Sequence, residues 1–181
     1  ELKKQLDKKG IKISSIGSPA GKVSIEEDFD TIFEEFKNLV LVAGALGTQY
    51  IRVFSFYIPE KNYGAYRDEV LARLEPMIAF AREHDIILLH ENESKIYGEM
   101  ADRCYDLLSH FDSPNFRAVF DFANFVQSGE DTLTAFELLS PYTEYIHLKD
   151  ASAKTGQNLP AGMGDGNIPA IFAKLKEQNY S

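Results

Sequence analysis

The sequence has 181 residues, enough for one domain with a sizeable core, and its 44% hydrophobic and 26% charged residues are ordinary for a globular protein. Its formal net charge of −9 at pH 7 repels phosphate backbones, which disfavours a nucleic-acid partner. No apolar run approaches the roughly 18 residues that span a bilayer, so we expect a cytoplasmic protein with no membrane partner.

Short apolar segments alternate with amphipathic segments along the chain. The apolar segments are rich in β-branched and aromatic residues and are nearly continuous in hydrophobicity, as strands covered on both faces should be. We predict five such strands, at residues 11–16, 50–54, 86–91, 117–121 and 145–148.

The amphipathic segments predict helices. One begins at the N-terminus, and another opens at Ser24, where Glu27 three residues later completes a capping-box pattern and apolar residues follow at helical spacing up to Val40. Pro76 predicts a kink in a third helix. The chain's single cysteine, Cys104, lies in a helical pattern and is expected to be a core residue. The later helices are predicted at residues 66–83, 97–110, 130–139 and 168–178.

The centres of the predicted strands lie about 27 to 38 residues apart, the length of successive βα units. Repeated βα units form either an open doubly wound sheet or a closed (β/α)₈ barrel, which needs eight strands and typically ~250 residues. The spacing alone predicts an α/β protein and does not choose between a complete flavodoxin-like domain and part of a barrel.

Polar residues stand where three consecutive strands end. Glu91 ends the third predicted strand, Asp121 ends the fourth, and His147 lies near the end of the fifth. The ends of parallel strands meet at one edge of a sheet, so we expect the three side chains to converge within about 5 Å of one another. Two carboxylates and an imidazole suit Mn²⁺, Mg²⁺, Co²⁺ or Zn²⁺. Taken singly, a strand-end acid is more often a helix cap, and a histidine is more often a core residue.

The segments around these residues resemble a known family. Residues 90–93 (His-Glu-Asn-Glu), 120–125 (Phe-Asp-Phe-Ala-Asn-Phe) and 146–150 (Ile-His-Leu-Lys-Asp) resemble the fourth, fifth and sixth strand ends of the xylose isomerase-like TIM-barrel family of sugar phosphate isomerases/epimerases. Residues 160–169 resemble its glycine-rich loop, and residues 15–19 resemble the end of its second strand. The resemblance implies a single domain over 1–181 that is an incomplete (β/α)₈ TIM barrel covering about the second to sixth βα units.

The resemblance also implies roles for individual residues. Glu91, Asp121 and His147 are expected to bind a divalent metal, with Glu91 also transferring protons. The family's fourth ligand, a glutamate on a later strand, has no counterpart in the sequence. We therefore expect a fragment of a longer protein, inactive as the 181-residue chain. Asn124 resembles a family position that reaches the substrate. The other residues expected at the substrate, from their places at or after strand ends, are Lys149, Asp150, Arg52 and Glu93.

Several of these residues have a plainer interpretation. Glu93 could be a solvated loop acid, and Lys149 and Asp150 could form a loop salt bridge. His90 should face away from the pocket in a regular strand, which favours a structural role. The glycines within residues 162–166 lack the Lys-Ser/Thr of a phosphate loop and so predict a tight turn. The residues expected to form a hydrophobic wall beside the substrate are Phe54, Phe122 and Phe125.

The leading functional hypothesis is a metal-dependent isomerase or epimerase of a sugar, sugar phosphate or polyol, working through an enediolate by carboxylate proton transfer. One alternative is an apurinic endonuclease-like phosphodiesterase of the same fold, which needs many more histidines than the four in this sequence. The other is a non-catalytic barrel that binds a ligand. The expected partner is a small sugar or polyol, and a second copy of the chain is a further candidate.

Overall fold

The central sheet has four parallel strands that follow one another in chain order. The computed structural model describes residues 1–178 and 180. The strands are β1 (Tyr50–Val53), β2 (Ile87–Glu91), β3 (Phe116–Asp121) and β4 (Thr143–His147). All three pairings are parallel, which confirms the predicted arrangement for these strands and contradicts a flavodoxin-like order. The sheet is an arc of the kind that a barrel requires.

The prediction of a strand at residues 11–16 was wrong. Only Ile16 pairs with the sheet, through a single parallel bridge to Ile51 of β1. Earlier in the segment Ile11 is half exposed, and the carbonyl oxygen of Ser14 accepts a hydrogen bond from the side chain of Thr48. The segment therefore runs along the edge of β1 without forming a ladder, because a side chain supplies a hydrogen bond that strand pairing would otherwise supply.

Helices connect the strands and cover one face of the sheet. They are α1 (Leu2–Lys8), α2 (Phe29–Leu46), α3 (Tyr63–Glu83), α4 (Ala101–Phe111), α5 (Phe122–Gln127), α6 (Thr132–Leu139) and α7 (Ile168–Glu177), with short 3₁₀ turns at Pro59–Lys61, Tyr97–Glu99 and Ser140–Tyr142. A small antiparallel hairpin follows β4, formed by β5 (Asp150–Ala151) and β6 (Asn158–Leu159). Among residues 1–178 and 180, none of the helices has the length and apolarity that crossing a membrane would require.

Two helices differ from the prediction. The helix expected to open at Ser24 begins at Phe29, where the side chain of Asp28 accepts the backbone N–H of Thr31. The predicted bond between Glu27 and Ser24 forms, but it closes a turn before the helix. Helix α5 was not predicted at all. It begins directly after β3, because the carboxylate that ends the strand also caps the helix.

The hydrophobic core lies between the sheet and its helices. It contains Phe122 and Phe125, which were expected to line the substrate pocket. The ring of Phe120 packs at 5.1 Å from Phe122 and 4.9 Å from Phe125, measured between ring centroids. Both partners are fully buried in this main core. The prediction that Phe122 and Phe125 form a wall of the pocket was therefore wrong, because α5 turns them toward the core.

Candidate metal centre

Three side chains converge at the carboxyl ends of neighbouring strands. Glu91 ends β2, while Asp121 and His147 end β3 and β4 and stand opposite each other in the ladder. One potential ligand atom from each residue lies within 4.8 Å of the others. The predicted convergence is confirmed.

Hydrogen bonding within the cluster leaves one oxygen of each carboxylate without a hydrogen bond. The Nδ1 atom of His147 lies 2.9 Å from Oε1 of Glu91 and 3.8 Å from Oδ2 of Asp121. Oε2 of Glu91 and Oδ2 of Asp121 are buried, and neither accepts a hydrogen bond of acceptable geometry from the described residues. Two such carboxylate oxygens beside an imidazole nitrogen form a mixed oxygen and nitrogen donor set of the kind that binds a divalent metal.

Two cationic side chains stand beside those oxygens. Nη1 of Arg52 lies 3.1 Å from Oε2 of Glu91, and Nζ of Lys149 lies 2.8 Å from Oδ2 of Asp121. These distances define ion pairs, although the groups are not aligned as hydrogen bonds. The side chain of Lys149 is 47% exposed, so it can move aside at little cost.

The two carboxyl groups have opposite pKa shifts. Burial raises the pKa of Asp121, and the nearby Lys149 offsets only part of this effect. Burial also acts to raise the pKa of Glu91, but His147 and Arg52 outweigh it and hold that pKa below its usual value. Glu91 therefore carries the negative charge more readily than Asp121, and a bound cation would favour the charged form of both.

An asparagine that the sequence analysis missed joins the ends of β2 and β3. The side chain of Asn92 donates to the carbonyl oxygen of Asp121 and accepts the backbone N–H of the same residue, both at 3.1 Å. Its own carbonyl oxygen accepts a bond from the side chain of Asn124 at 2.7 Å. The sequence feature that could have identified Asn92 is its position directly after Glu91, at the same edge of the sheet. Asn92 fixes the spacing between the two carboxylates.

Of the residues expected at the substrate, Arg52, Lys149 and Asn124 lie at the cluster. Asn124 is buried, and its side-chain oxygen lies 3.3 Å from Nζ of Lys149. Phe54, which was expected to line the pocket, is buried, and its ring centroid lies 5.0 Å from the guanidinium carbon of Arg52. These residues form one wall beside the carboxylates.

Glu93 does not contact the cluster. Its carboxylate pairs with Nζ of Lys22 at 2.7 Å and accepts the backbone N–H of Ser94 at 2.9 Å. Glu93 and Lys22 line a separate open cavity of about 390 Å³, together with Tyr57, Ser94 and Lys95.

Asp150, also expected at the substrate, is committed to the glycine-rich loop. Its buried carboxylate accepts four backbone N–H groups, each at 2.9 Å, from Ala151, Gly162, Gly164 and Gly166. Because both carboxylate oxygens already accept two backbone N–H groups each, Asp150 holds the loop together and its oxygens are not available to bind a substrate. The expectation of substrate binding by Asp150 is therefore corrected to a role in fixing the loop.

His90 points away from the cluster, as its position in the strand predicted. It is 1% exposed, and its Nε2 atom lies 3.0 Å from the hydroxyl oxygen of Ser55. Burial lowers the pKa of His90 to about 4, so it is neutral near pH 7.

Comparisons with known proteins agree with this architecture. The model of the xylose isomerase-like TIM barrel family matches residues 1–181. A curated 3-dehydroshikimate dehydratase of Bacillus anthracis is 24% identical over 132 residues, which are 72% of this chain and 47% of that protein. The chain thus spans about half the length of this curated relative.

Solved structures show the same fold. A probable 3-DHS dehydratase involved in petrobactin synthesis from Bacillus anthracis has a TM-score of 0.82 and 21% identity, covering 98% of this chain and 71% of its own. A D-tagatose 3-epimerase-like protein has a TM-score of 0.81 and 20% identity, covering 99% of this chain and 72% of its own. With four parallel strands and a match across its whole length, the chain is part of a barrel and belongs to the xylose isomerase-like TIM barrel family.

Proposed function

We propose that this chain carries the metal-binding strands of an isomerase or epimerase that acts on a sugar, sugar phosphate or polyol. The observation that carries the proposal is the convergence of Glu91, Asp121 and His147, whose potential ligand atoms lie within 4.8 Å of one another. Membership of a family named for xylose isomerase supports the same class of chemistry.

The charges of the cluster favour an anionic reaction intermediate. Arg52 and Lys149 balance the two carboxylates, so an added divalent cation leaves the site with net positive charge. A Mn²⁺, Mg²⁺, Co²⁺ or Zn²⁺ ion held by Glu91, Asp121 and His147 would supply positive charge where substrate oxygens become negative. Arg52 and Lys149 would orient the same oxygens, since both cations already lie against this part of the site.

Glu91 is the proposed proton carrier. In the reaction, a C–H bond beside the carbonyl breaks, its proton passes to a carboxylate, and the electron pair moves to the carbonyl oxygen. Return of the proton to the former carbonyl carbon gives isomerisation, provided that the hydroxyl proton on the first carbon passes to the other oxygen, so that the carbonyl forms on the first carbon. Delivery of a proton by a second acid to the other face of the first carbon re-forms the original carbonyl and gives epimerisation. The wall of Arg52 and Phe54 would limit the access of water during the transfer.

A dehydratase is the second candidate, favoured by the relative that has this activity. The first step is the same proton removal, after which the carboxylic acid gives its proton to a hydroxyl group on the next carbon. That hydroxyl leaves as water while the carbonyl re-forms and a C=C bond forms between the two carbons. Arg52 and Lys149 would suit a substrate that carries a carboxylate, because two cations can face one anion.

The endonuclease hypothesis gains little support from the geometry. His90 is buried on the opposite side of its strand, and His84 bonds the carbonyl oxygen of Phe80 at the end of α3. Within residues 1–178 and 180, the cluster of Glu91, Asp121 and His147 is the one group that could hold a metal. A cluster of several metal ions would need more ligands than these residues offer.

One assay separates the two leading candidates. The full-length protein is incubated in D₂O with ketoses, cyclic polyols or 3-dehydroshikimate and each of the four metals, and deuterium incorporation and products are followed by NMR. Deuterium beside the carbonyl with a rearranged sugar supports an isomerase or epimerase, and an unsaturated product supports a dehydratase.

Two variants test the assignment of the site. We expect His147→Asn to lower metal affinity at least 10-fold, because one of three protein ligands is weakened, whereas His84→Asn, at an exposed helix end, should bind metal like the wild type. Equal metal binding by His147→Asn and the wild type would remove His147 from the site. Metal-loaded protein that exchanges no substrate proton would leave the non-catalytic barrel as the better hypothesis.

A further inference from the structure

The pairing of β3 with β4 contains a shift of one residue. Ala118 stands opposite Thr143, but the next residue of β3, Val119, stands opposite Tyr145. Glu144 is therefore an extra residue in β4, with no partner in β3. Such bulges are uncommon in parallel pairs and often lie beside active sites, where they redirect a side chain.

This bulge decides which way His147 faces. Side chains alternate along a strand, so a slip of one residue turns every later side chain to the other face. With the bulge, His147 stands opposite Asp121 and shares its face. Without it, Asp121 would stand opposite Ile146, and His147 would face away from the carboxylates.

Side chains from distant segments hold the bulge in place. The hydroxyl of Tyr50 in β1 donates to Oε1 of Glu144 at 2.7 Å, and the hydroxyl of Tyr180 donates to its carbonyl oxygen at 2.9 Å. The Tyr50 bond reaches across β2 and β3, on the face of the sheet that carries the site. Glu144 is partly buried, and among the described residues its carboxylate forms no ion pair. Neither a charge partner nor the metal cluster therefore accounts for a glutamate at this position.

A line of aromatic rings connects the bulge to the cluster. The ring centroid of Tyr145 lies 5.9 Å from that of Tyr50 and 6.1 Å from that of His147, the latter at an angle of 87°. The Tyr145 hydroxyl lies 2.6 Å from that of Ser14. The ring of Tyr145 therefore packs edge to face against the imidazole, and its hydroxyl is held by Ser14. This arrangement restricts the orientation of the His147 ring.

We propose that Glu144 is a positioning residue for His147, and that the bulge it forms, held by Tyr50, aims the imidazole at Glu91 and Asp121. The proposal rests on the proposed function only in taking that cluster as the reactive site. Glu144 itself touches neither substrate nor metal, and it acts through the register of β4.

The test uses two phenylalanine variants that each remove one phenol–glutamate bond. Tyr50→Phe removes the bond to Glu144, and Tyr63→Phe removes a bond from the first residue of α3 to Glu99 in the 3₁₀ turn at Tyr97–Glu99. The hydrogen bond to Glu144 and burial raise the pKa of Tyr50 to about 12, and burial with the bond to Glu99 raises that of Tyr63 to about 12, so the control is closely matched.

The first readout needs no metal. Proton and nitrogen NMR of the imidazoles, with His147 assigned from His147→Asn, should show a hydrogen-bonded Nδ1 in the wild type and in Tyr63→Phe. We expect this signal to shift or broaden in Tyr50→Phe and in Glu144→Ala. Glu144→Gln should restore it, because the amide oxygen still accepts the tyrosine hydroxyl.

The second readout is Mn²⁺ affinity by calorimetry, which we expect to fall at least 10-fold in Glu144→Ala and to stay within threefold of wild type in Glu144→Gln and Tyr63→Phe. Deletion of Glu144 should abolish the His147–Glu91 bond, and if that variant does not fold, Tyr50→Phe still decides. Wild-type His147 signals and affinity in both Tyr50→Phe and Glu144→Ala would overturn the positioning role. A wild type that binds no metal, with His147 signals that still respond to Glu144→Ala, would instead refute the proposed function alone.

Discussion

Replacing Asp150 by asparagine should release the glycine-rich loop. Each carboxylate oxygen of Asp150 accepts two backbone N–H groups, Oδ1 from Ala151 and Gly166, and Oδ2 from Gly162 and Gly164. An asparagine can accept with one atom only, so in either orientation its NH₂ group meets two donors. Two charge-assisted hydrogen bonds are lost, each worth about 1.5–3 kcal/mol, or about 3–6 kcal/mol together.

This cost should appear as easier opening of the loop, because few core contacts hold it. A change of about 3–6 kcal/mol corresponds to roughly 10²–10⁴-fold faster amide exchange at Gly162, Gly164 and Gly166. Hydrogen exchange by NMR measures this directly, and trypsin cleavage after the exposed Lys154 gives an independent measure.

Asp165→Asn is the control for this experiment. The exposed side chain of Asp165 lies in the same loop and accepts one backbone N–H, from Ala153 at 2.7 Å. We expect it to change exchange at the three glycines by less than 10-fold. Exchange in Asp150→Asn within threefold of the wild type would refute the view that this carboxylate organises the loop.

Four further predictions concern stability and assembly. Burial raises the pKa of the Cys104 thiol well above its usual range, so a thiol reagent should label it only after unfolding. Asp131→Ala should lower the free energy of unfolding by about 1 kcal/mol in urea titrations, since it removes the cap of α6. Hydrogen bonds from Arg67 hold the pKa of Asp106 below its usual value of 3.8. The stability that they contribute is therefore present above pH 3.8 and is lost as the pH falls through the folded-state pKa. Arg67→Met should make the free energy of unfolding depend less on pH in this acidic range. The isolated 181-residue chain should self-associate in sedimentation experiments, because no strand of the described residues pairs with the outer edge of β4; a monomer at micromolar concentration would contradict this.

The regular features of the fold could be predicted from the sequence. The four strands of the sheet are short apolar runs bounded by turns, and each was placed within a residue or two. Because parallel strands end at one edge, the position of Glu91, Asp121 and His147 after such runs was enough to predict their convergence.

The features that were predicted wrongly or missed depend on tertiary hydrogen bonds and strand pairing, which the local sequence pattern does not encode. Residues 11–16 have the composition of a strand, but the Thr48 side chain takes a bond that a ladder would need. Asp150 resembles a pocket acid in sequence, and only the folded loop shows that four N–H groups surround it. The extra residue at Glu144 leaves the apolar pattern of β4 unchanged, so the bulge becomes visible only in the pairing.

The two oxygens of Asp121 serve different parts of the molecule. Oδ1 accepts the backbone N–H of Asn124 at the start of α5, while Oδ2 faces Lys149 and His147. A substitution of Asp121 that is meant to change the metal preference of this site would also remove the N-cap of α5. Asp121→Glu, for example, introduces a longer side chain that cannot keep both contacts. Glu91, which caps no helix, is the safer position for redesign, and random mutagenesis should accordingly return substitutions at Glu91 among folded variants more often than at Asp121.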